Sequence, residues 1–241
     1  MIIRDQFDPY LRRMIKKKKQ IAVVPVGSIE QHGPHLPIST DSDIVTKIAT
    51  KLSERINGVL LPTINYGISD EHFPFFNLSI KKSTLSRVLD DICKSLIKNG
   101  ISRILIINGH YGNVDSLKRF EKKQKKNRRI KIFSYWKYME REFDHAGNVE
   151  TSIMLAISKN VNMKKAKKGF QTDGMSKQEI SKINRLAQKS FPKVTGNGVW
   201  GDPTKSSARL GRKIIKEVVD NLVKESNLTY RNKTKNSPVN V

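Results

Sequence analysis

Residues 23–43 read VVPVGSIEQHGPHLPISTDSD. A β-branched apolar run breaks into Gly, Ser and Pro, and Glu30, His32, His35, Asp41 and Asp43 then follow within fourteen positions. An apolar run closed by glycine describes a buried strand. A strand that opens at its carboxyl end into a loop of imidazoles and carboxylates is the pattern of an α/β sheet, where ligands bind outside the strand ends. Neutral imidazole nitrogen and carboxylate oxygen are the usual donors to Zn and Mn.

The rest of the chain alternates in the same way. Residues 20–26 read as a strand. A helix follows from about Thr40, which can cap it, and Asp41 and Asp43 suit its positive end. Ile44, Ile48, Leu52 and Ile56 form its apolar stripe, and Asn57-Gly58 stops it. The pattern then predicts a strand over 59–61, a helix over 83–99 stopped by Gly100, and a nearly continuous apolar strand over 101–107. Such a run suits a parallel strand buried on both faces. A basic helix over 114–127, a strand over 130–136 and helices over 147–158, about 177–188 and about 204–226 complete the series. The expected fold is α/β, a three-layer α/β/α sandwich with a mostly parallel sheet. It forms a single domain over residues 1–227, with a polar, flexible tail over 228–241.

Composition excludes several classes of function. No run of eighteen apolar residues exists to span a membrane, and the first twenty residues lack the apolar core of a secretory signal. The lone cysteine, Cys93, excludes an internal disulfide framework and fits a reducing cytoplasm. The 46 basic and 22 acidic residues give a net charge of +24, enough for non-specific attraction to nucleic acid. The lysines fall in scattered runs, at 16–19, 122–126 and 164–168, with no zinc finger, RNP-like motif or basic zipper. They read as solvated faces. A non-catalytic nucleic-acid-binding protein is the reading of a different class, and it would bind in a salt-sensitive way.

The chain has five histidines, His32, His35, His72, His110 and His145, and all fall in loop or turn segments. Glu150 lies in a helical pattern on the same face as Ile153, Met154 and Ile157, where an unpaired carboxylate is costly. Asp41 and Asp43 taken singly are helix-start acids, and His72 taken singly is a surface residue beside an aromatic loop. Taken together, Glu30, His32, Asp41, His110 and Glu150 are too many donors for one closed tetrahedral zinc. They suit two ions sharing a carboxylate. His35 reads as a partner behind the ligands, and Asp43 as an acid of the helix start.

The segments GSIEQHGPHLPISTD, INYGISDEH, INGHYGN, SYW, DHAGNVETS and GVWGDPTKSSARLGR occur in this order between about residues 23 and 212. In these segments the chain resembles the creatininase family of metal-dependent amidohydrolases. The resemblance implies an α/β/α sandwich assembled as a homo-oligomer, a hexamer in the family. It implies two divalent ions per subunit, Zn and/or Mn, with Fe also compatible. Glu30, Asp41 and His110 would hold one ion, and His32, Asp41 and a glutamate the other, with Asp41 bridging. His145 would be the general acid/base, and Tyr111, Trp136 and His72 would contact substrate. The implied reaction is hydrolysis of a C–N bond in a small cyclic amide or formamide by a metal-activated water.

Three departures bear on the substrate. Creatinine-hydrolysing members carry a metal-binding glutamate where this chain has Gly112, so Glu150 is expected to supply the missing carboxylate. Arg141 stands where a second tryptophan is expected, and the turn after Glu71-His72 reads FPFFN. These changes argue against creatinine itself. The family also includes an archaeal formylamino-pyrimidine nucleotide deformylase of flavin and deazaflavin biosynthesis, and a peptide-cleaving enzyme of a redox-peptide pathway. A phosphorylated substrate would suit the basic charge, with Arg141 beside His145 to meet it.

Overall fold

A computed structural model describes residues 1–17, 20–124 and 129–231. In chain order it holds α1 (Asp8–Lys17), β1 (Ile21–Val26), α2 (Thr40–Arg55), β2 (Val59–Leu60), α3 (Lys82–Lys98) and β3 (Arg103–Asn108). These are followed by α4 (Val114–Lys123), β4 (Ile130–Ser134), α5 (Asn148–Ile157), α6 (Lys177–Ala187), α7 (Phe191–Thr195) and α8 (Ala208–Arg231). The four strands form one sheet in the order β2-β1-β3-β4, and every pairing is parallel. The register of β1 on β3 runs from Ile21 opposite Arg103 to Val26 opposite Asn108. This is the expected α/β architecture, with the sheet wholly parallel among the described residues.

Strand alternation divides the core. Leu105 and Ile107 pack with Ile44, Ile48, Leu52, Ile153, Ile214 and Val218, so α2, α5 and α8 cover one face. Ile104 and Ile106 pack with Leu85, Leu89, Leu96, Leu117 and Phe120, so α3 and α4 cover the other. β3 is buried on both faces, which explains its uninterrupted apolar sequence. Ile106 is fully buried at the centre. Ile106→Ala should cost about 2–5 kcal/mol, the range for deleting a buried aliphatic side chain. The check is the urea midpoint at constant slope, and an unmoved midpoint would contradict this packing.

Pro25 sits in β1, between two neighbours, where a missing N–H is normally excluded. The Val23 and Pro25 carbonyls both face the β2 side, accepting from Leu61 and Ile64. β2 has already ended at Leu60 when the chain reaches Pro25, so no ladder bond is lost there.

Several boundaries differ from the sequence reading, for local reasons. β3 starts at Arg103, because Ile101 N–H donates to Leu96 C=O and closes α3 behind Gly100, whose φ is +90°. β4 ends at Ser134, and Tyr135–Tyr138 form a 3-10 turn that carries Trp136 to the site. The start of α2 has Ser39 at the capping position. Thr40 is the first helical residue, and its hydroxyl donates to Pro37 C=O. α8 begins at Ala208, because Asp202 accepts from the N–H and hydroxyl of Thr204 and holds 203–205 in a separate turn. α4 ends at Lys123, and the last expected residues of that helix, 125–127, lie outside the described residues. α8 runs to Arg231, and the expected tail lies outside the described residues from 232 onward. Helices α1 and α7 were not anticipated. No described helix is long and apolar enough to cross a membrane.

Candidate metal centre

Four segments at the carboxyl ends of the strands build the site. The loop after β1 is fixed by backbone pairing: Glu30 N–H donates to Ile38 C=O, Gln31 N–H to Phe76 C=O, and Leu78 N–H to Ile29 C=O. Asp41 follows in the first turn of α2. His110 comes two residues after β3, and its N–H donates to the Asn108 side chain. His145 is pinned by a reciprocal backbone pair with Trp200, at 3.1 and 2.8 Å. Glu150 lies in the first turn of α5. The Asp144 carboxylate holds this helix start by accepting from Val149 N–H at 2.7 Å and Glu150 N–H at 3.2 Å.

These segments bring together all five carboxylates and imidazoles named as donors. Glu30, Asp41 and His110 form one buried group, and His32, Asp41 and Glu150 form another. Within each group, donor atoms lie within 4.8 Å of one another. Asp41 belongs to both: its Oδ1 is 3.3 Å from His32 Nε2, and its Oδ2 is 3.0 Å from His110 Nδ1. Glu150 Oε2 is 3.6 Å from His32 Nε2, and Glu30 Oε2 is 3.2 Å from His110 Nε2. A third group, Glu30, His32 and His145, also has donor spacing.

The hydrogen bonds behind the donors point their free atoms inward. His32 Nδ1 is 3.0 Å from Glu30 C=O, which assigns the proton to Nδ1 and leaves Nε2 facing Asp41 and Glu150. His110 Nε2 is 2.7 Å from Ile68 C=O, so Nδ1 is left for Asp41. Ser28 hydroxyl donates to Glu30 Oε2, and Ala146 N–H donates to Glu150 Oε2. What remains includes buried atoms without hydrogen bonds, among them His32 Nε2, Asp41 Oδ2 and Glu150 Oε1. Unpaired buried polar atoms are costly. Converging from two sides of one carboxylate, they match the demands of divalent ions held by nitrogen and oxygen.

The charges oppose one another strongly when no ion is present. Burial disfavours a charge on His32, but Asp41, Glu150 and Glu30 override it and push its pKa up to about 10. Burial is likewise overridden at His110 by Glu30 and Asp41, again to about 10. Asp41 is held well below the carboxylate range, because His32 and His110 outweigh its burial. Glu150 is pushed well above its ordinary value by burial and by Asp41 and Asp144. His145 is driven well below its ordinary value by burial and by the neighbouring His32 and His72. It is therefore neutral at neutral pH while no ion is bound.

The remaining residues named from sequence separate into three positions. His35 lies behind the donors, with Nε2 2.9 Å from Thr151 Oγ1 on α5. Burial and the nearby His32 lower its pKa to about 4. Asp43 accepts from the Ser39 hydroxyl at the helix start. His72, Tyr111 and Trp136 line a cavity of about 380 Å³ that opens onto Glu30, Asp41, His110 and His145. Trp136 stacks on Phe143 at 4.7 Å on one wall, and Phe191 of α7 meets His72 at 4.6 Å and His145 at 4.7 Å on the other. Glu71, Glu142 and Asp144 add carboxylates. Among the described residues no lysine or arginine lines the cavity, so Arg141 is not placed to meet a phosphate in it.

Sequence reasoning missed four contributors. Asn113 ties three loops together, accepting from Ile68 N–H and donating to Gly27 C=O and Asn108 Oδ1. Asp144 holds the start of α5. Gln31 bridges two imidazoles. Glu71 Oε1 lies 3.9 Å from His110 Nε2. A side chain at Gly112 has no room, since a Cβ there would fall 2.1 Å from Ile68 C=O and 2.7 Å from Glu71 Oε1. The adjacency of Gln31, Asn113 and Asp144 to the donors within quoted motifs was the available signal. For Glu71 it was the neighbouring His72.

The chain is similar to known proteins over most of its length. The creatininase profile, described as creatinine amidohydrolase, matches residues 8–225. A mycofactocin precursor peptide peptidase of Mycobacterium ulcerans is 33% identical over 215 residues, covering 83% of this chain and 82% of that protein. A 2-amino-5-formylamino-6-ribosylaminopyrimidin-4(3H)-one 5'-monophosphate deformylase of Methanothermus fervidus is 26% identical, covering 87% and 84%. Among solved structures, one described as "Creatininase Mn" superposes with a TM-score of 0.75 at 19% identity, covering 95% of this chain and 98% of that one.

Proposed function

The chain belongs to the creatininase family, and from that premise we propose that it is a binuclear metal-dependent hydrolase cleaving the carbon–nitrogen bond of a peptide-type amide. The observation that carries this reading is Asp41, a buried carboxylate whose two oxygens face two separate donor groups. Glu30, Asp41 and His110 would hold one ion, and His32, Asp41 and Glu150 the other. Two bound ions would supply Lewis acidity, activating water and stabilising the negative charge that develops on the amide oxygen. Zn or Mn fits the all-N/O donor set. His145, neutral and at the cavity edge, would carry the proton to the leaving nitrogen. Its Nδ1, 3.9 Å from Glu30 Oε1, is the nitrogen turned toward the donors.

The lining selects among amides. Aromatic walls and carboxylates, without a lysine or arginine among the described residues, suit a neutral or amine-bearing substrate. They give a phosphate no cationic partner, which disfavours a nucleotide deformylase despite the positive net charge. The crowding at Gly112 weighs against creatinine. The peptide-cleaving relative, at 33% identity, supports a peptide amide. The test offers short peptides, creatinine and a formylaminopyrimidine 5'-monophosphate to Zn- and Mn-loaded protein. Chelator-sensitive cleavage of a peptide is expected. Exclusive turnover of the phosphorylated substrate would overturn the assignment.

Metal uptake should also depend on pH. Protons held on His32 and His110 must leave before ions bind, so loading should release about two protons per chain. Affinity should strengthen as pH rises from neutrality toward 10, because proton competition weakens. Titration calorimetry in buffers of different ionisation heat measures the release, and uptake without it would contradict the assigned donors.

A further inference from the structure

We propose that Gln31 is the positioning residue for His145, holding its imidazole in one orientation. This rests on the acid–base role proposed above for His145. Gln31 stands between Glu30 and His32, but its side chain turns away from both donor groups toward two other rings. Gly33 N–H donates to Gln31 Oε1 at 2.9 Å, which fixes which end of the amide is the oxygen. Gln31 Nε2 therefore faces the imidazoles, 3.0 Å from His72 Nδ1 and 3.2 Å from His145 Nε2. A carboxamide nitrogen carries two hydrogens, and here each has one ring nitrogen to meet.

The same residue offers the opposite partner as well. Gln31 C=O is 3.1 Å from His145 Nε2. When Nε2 carries no proton, it accepts from the Gln31 amide. When Nε2 is protonated, it donates to the Gln31 carbonyl. Either way the ring keeps its place, with Nδ1 toward Glu30 Oε1. The other contacts of the ring, stacking on His32 at 4.2 Å and an edge against Phe191 at 4.7 Å, restrain its plane without selecting which nitrogen faces the donors. At His72 the amide selects a lone pair on Nδ1, which puts the proton on Nε2, 3.0 Å from Glu30 Oε1. One amide thus sets the second nitrogen of two imidazoles against the same carboxylate oxygen. The fit around it is tight on the far side too, where a Cβ on Gly198 would lie 1.9 Å from Gln31 Oε1.

The test uses the full chain loaded with zinc. Gln31→Glu keeps the shape and removes both donors, and Gln31→Leu removes all polar contact from the side chain. Three quantities are read: zinc content, kcat and KM on the peptide that the wild type cleaves, and the 15N resonances of the His145 and His72 rings. Zinc content and KM should hold, kcat should fall about 10- to 100-fold, the usual cost of losing a group that orients a working residue, and the ring resonances should move. Gly198→Ala, which crowds the same amide from outside the loop, should lower kcat in the same direction. Unchanged kcat with unchanged ring resonances would overturn the proposal, as would a kcat loss accompanied only by loss of zinc. Full turnover in His145→Ala would instead overturn the acid–base reading beneath it.

Discussion

Replacing Asp41 by Asn is expected to empty both ion positions at once and to lower amide turnover by at least about a thousandfold, the scale of removing several kcal/mol of charge stabilisation. Asp41 is 2% exposed, and its two oxygens serve different groups, so no other single substitution reaches both. Asn preserves the shape of the side chain, and Asp43 keeps an acid in the first turn of α2. The variant should therefore fold. Glu30→Gln or Glu150→Gln alters one group only and should leave the partner ion bound more weakly. Elemental analysis beside circular dichroism separates the outcomes. An Asp41→Asn protein that keeps two ions and normal turnover would refute the shared carboxylate.

His145→Ala should act differently. The side chain belongs to neither of the groups that share Asp41, and it sits at the edge of the cavity, where a leaving nitrogen can reach it. Its loss should reduce kcat by roughly a hundred- to ten-thousandfold, the span of general acid–base catalysis, with both ions retained. A third donor group, Glu30 with His32 and His145, gives this variant a second use. Loss of one ion from His145→Ala would make His145 a ligand and would move the proton transfer elsewhere.

Much of this fold is written in local pattern. The alternation of β3 residues between two cores, and the glycine that closes α3, follow from periodicity and backbone freedom. Helix α1 escaped notice because a basic run follows its apolar positions Leu11, Met14 and Ile15, and such a run reads as solvent-facing whether or not it is helical. The short α7 carries too few residues to show a period, and its Phe191 has meaning only against the His72 and His145 rings. Donor residues stood out because carboxylate and imidazole are improbable after a buried strand. Gln31, Asn113 and Asp144 did not, because amides and helix-start acids are common in loops. Their roles exist only once distant segments meet: Gln31 with His145, Asn113 with Gly27 and Ile68, Asp144 with Val149 and Glu150. Net charge points in a different direction from the cavity. It suits an anionic substrate, whereas among the described residues no lysine or arginine lines the cavity of carboxylates and aromatic rings.

The most direct test of the account is anomalous diffraction at the zinc edge from crystals of the zinc-loaded chain. Two peaks are expected, one on each side of the Asp41 carboxylate, the first against Glu30 and His110 and the second against His32 and Glu150. A single peak, or none touching Asp41, in protein that still cleaves its amide would contradict it.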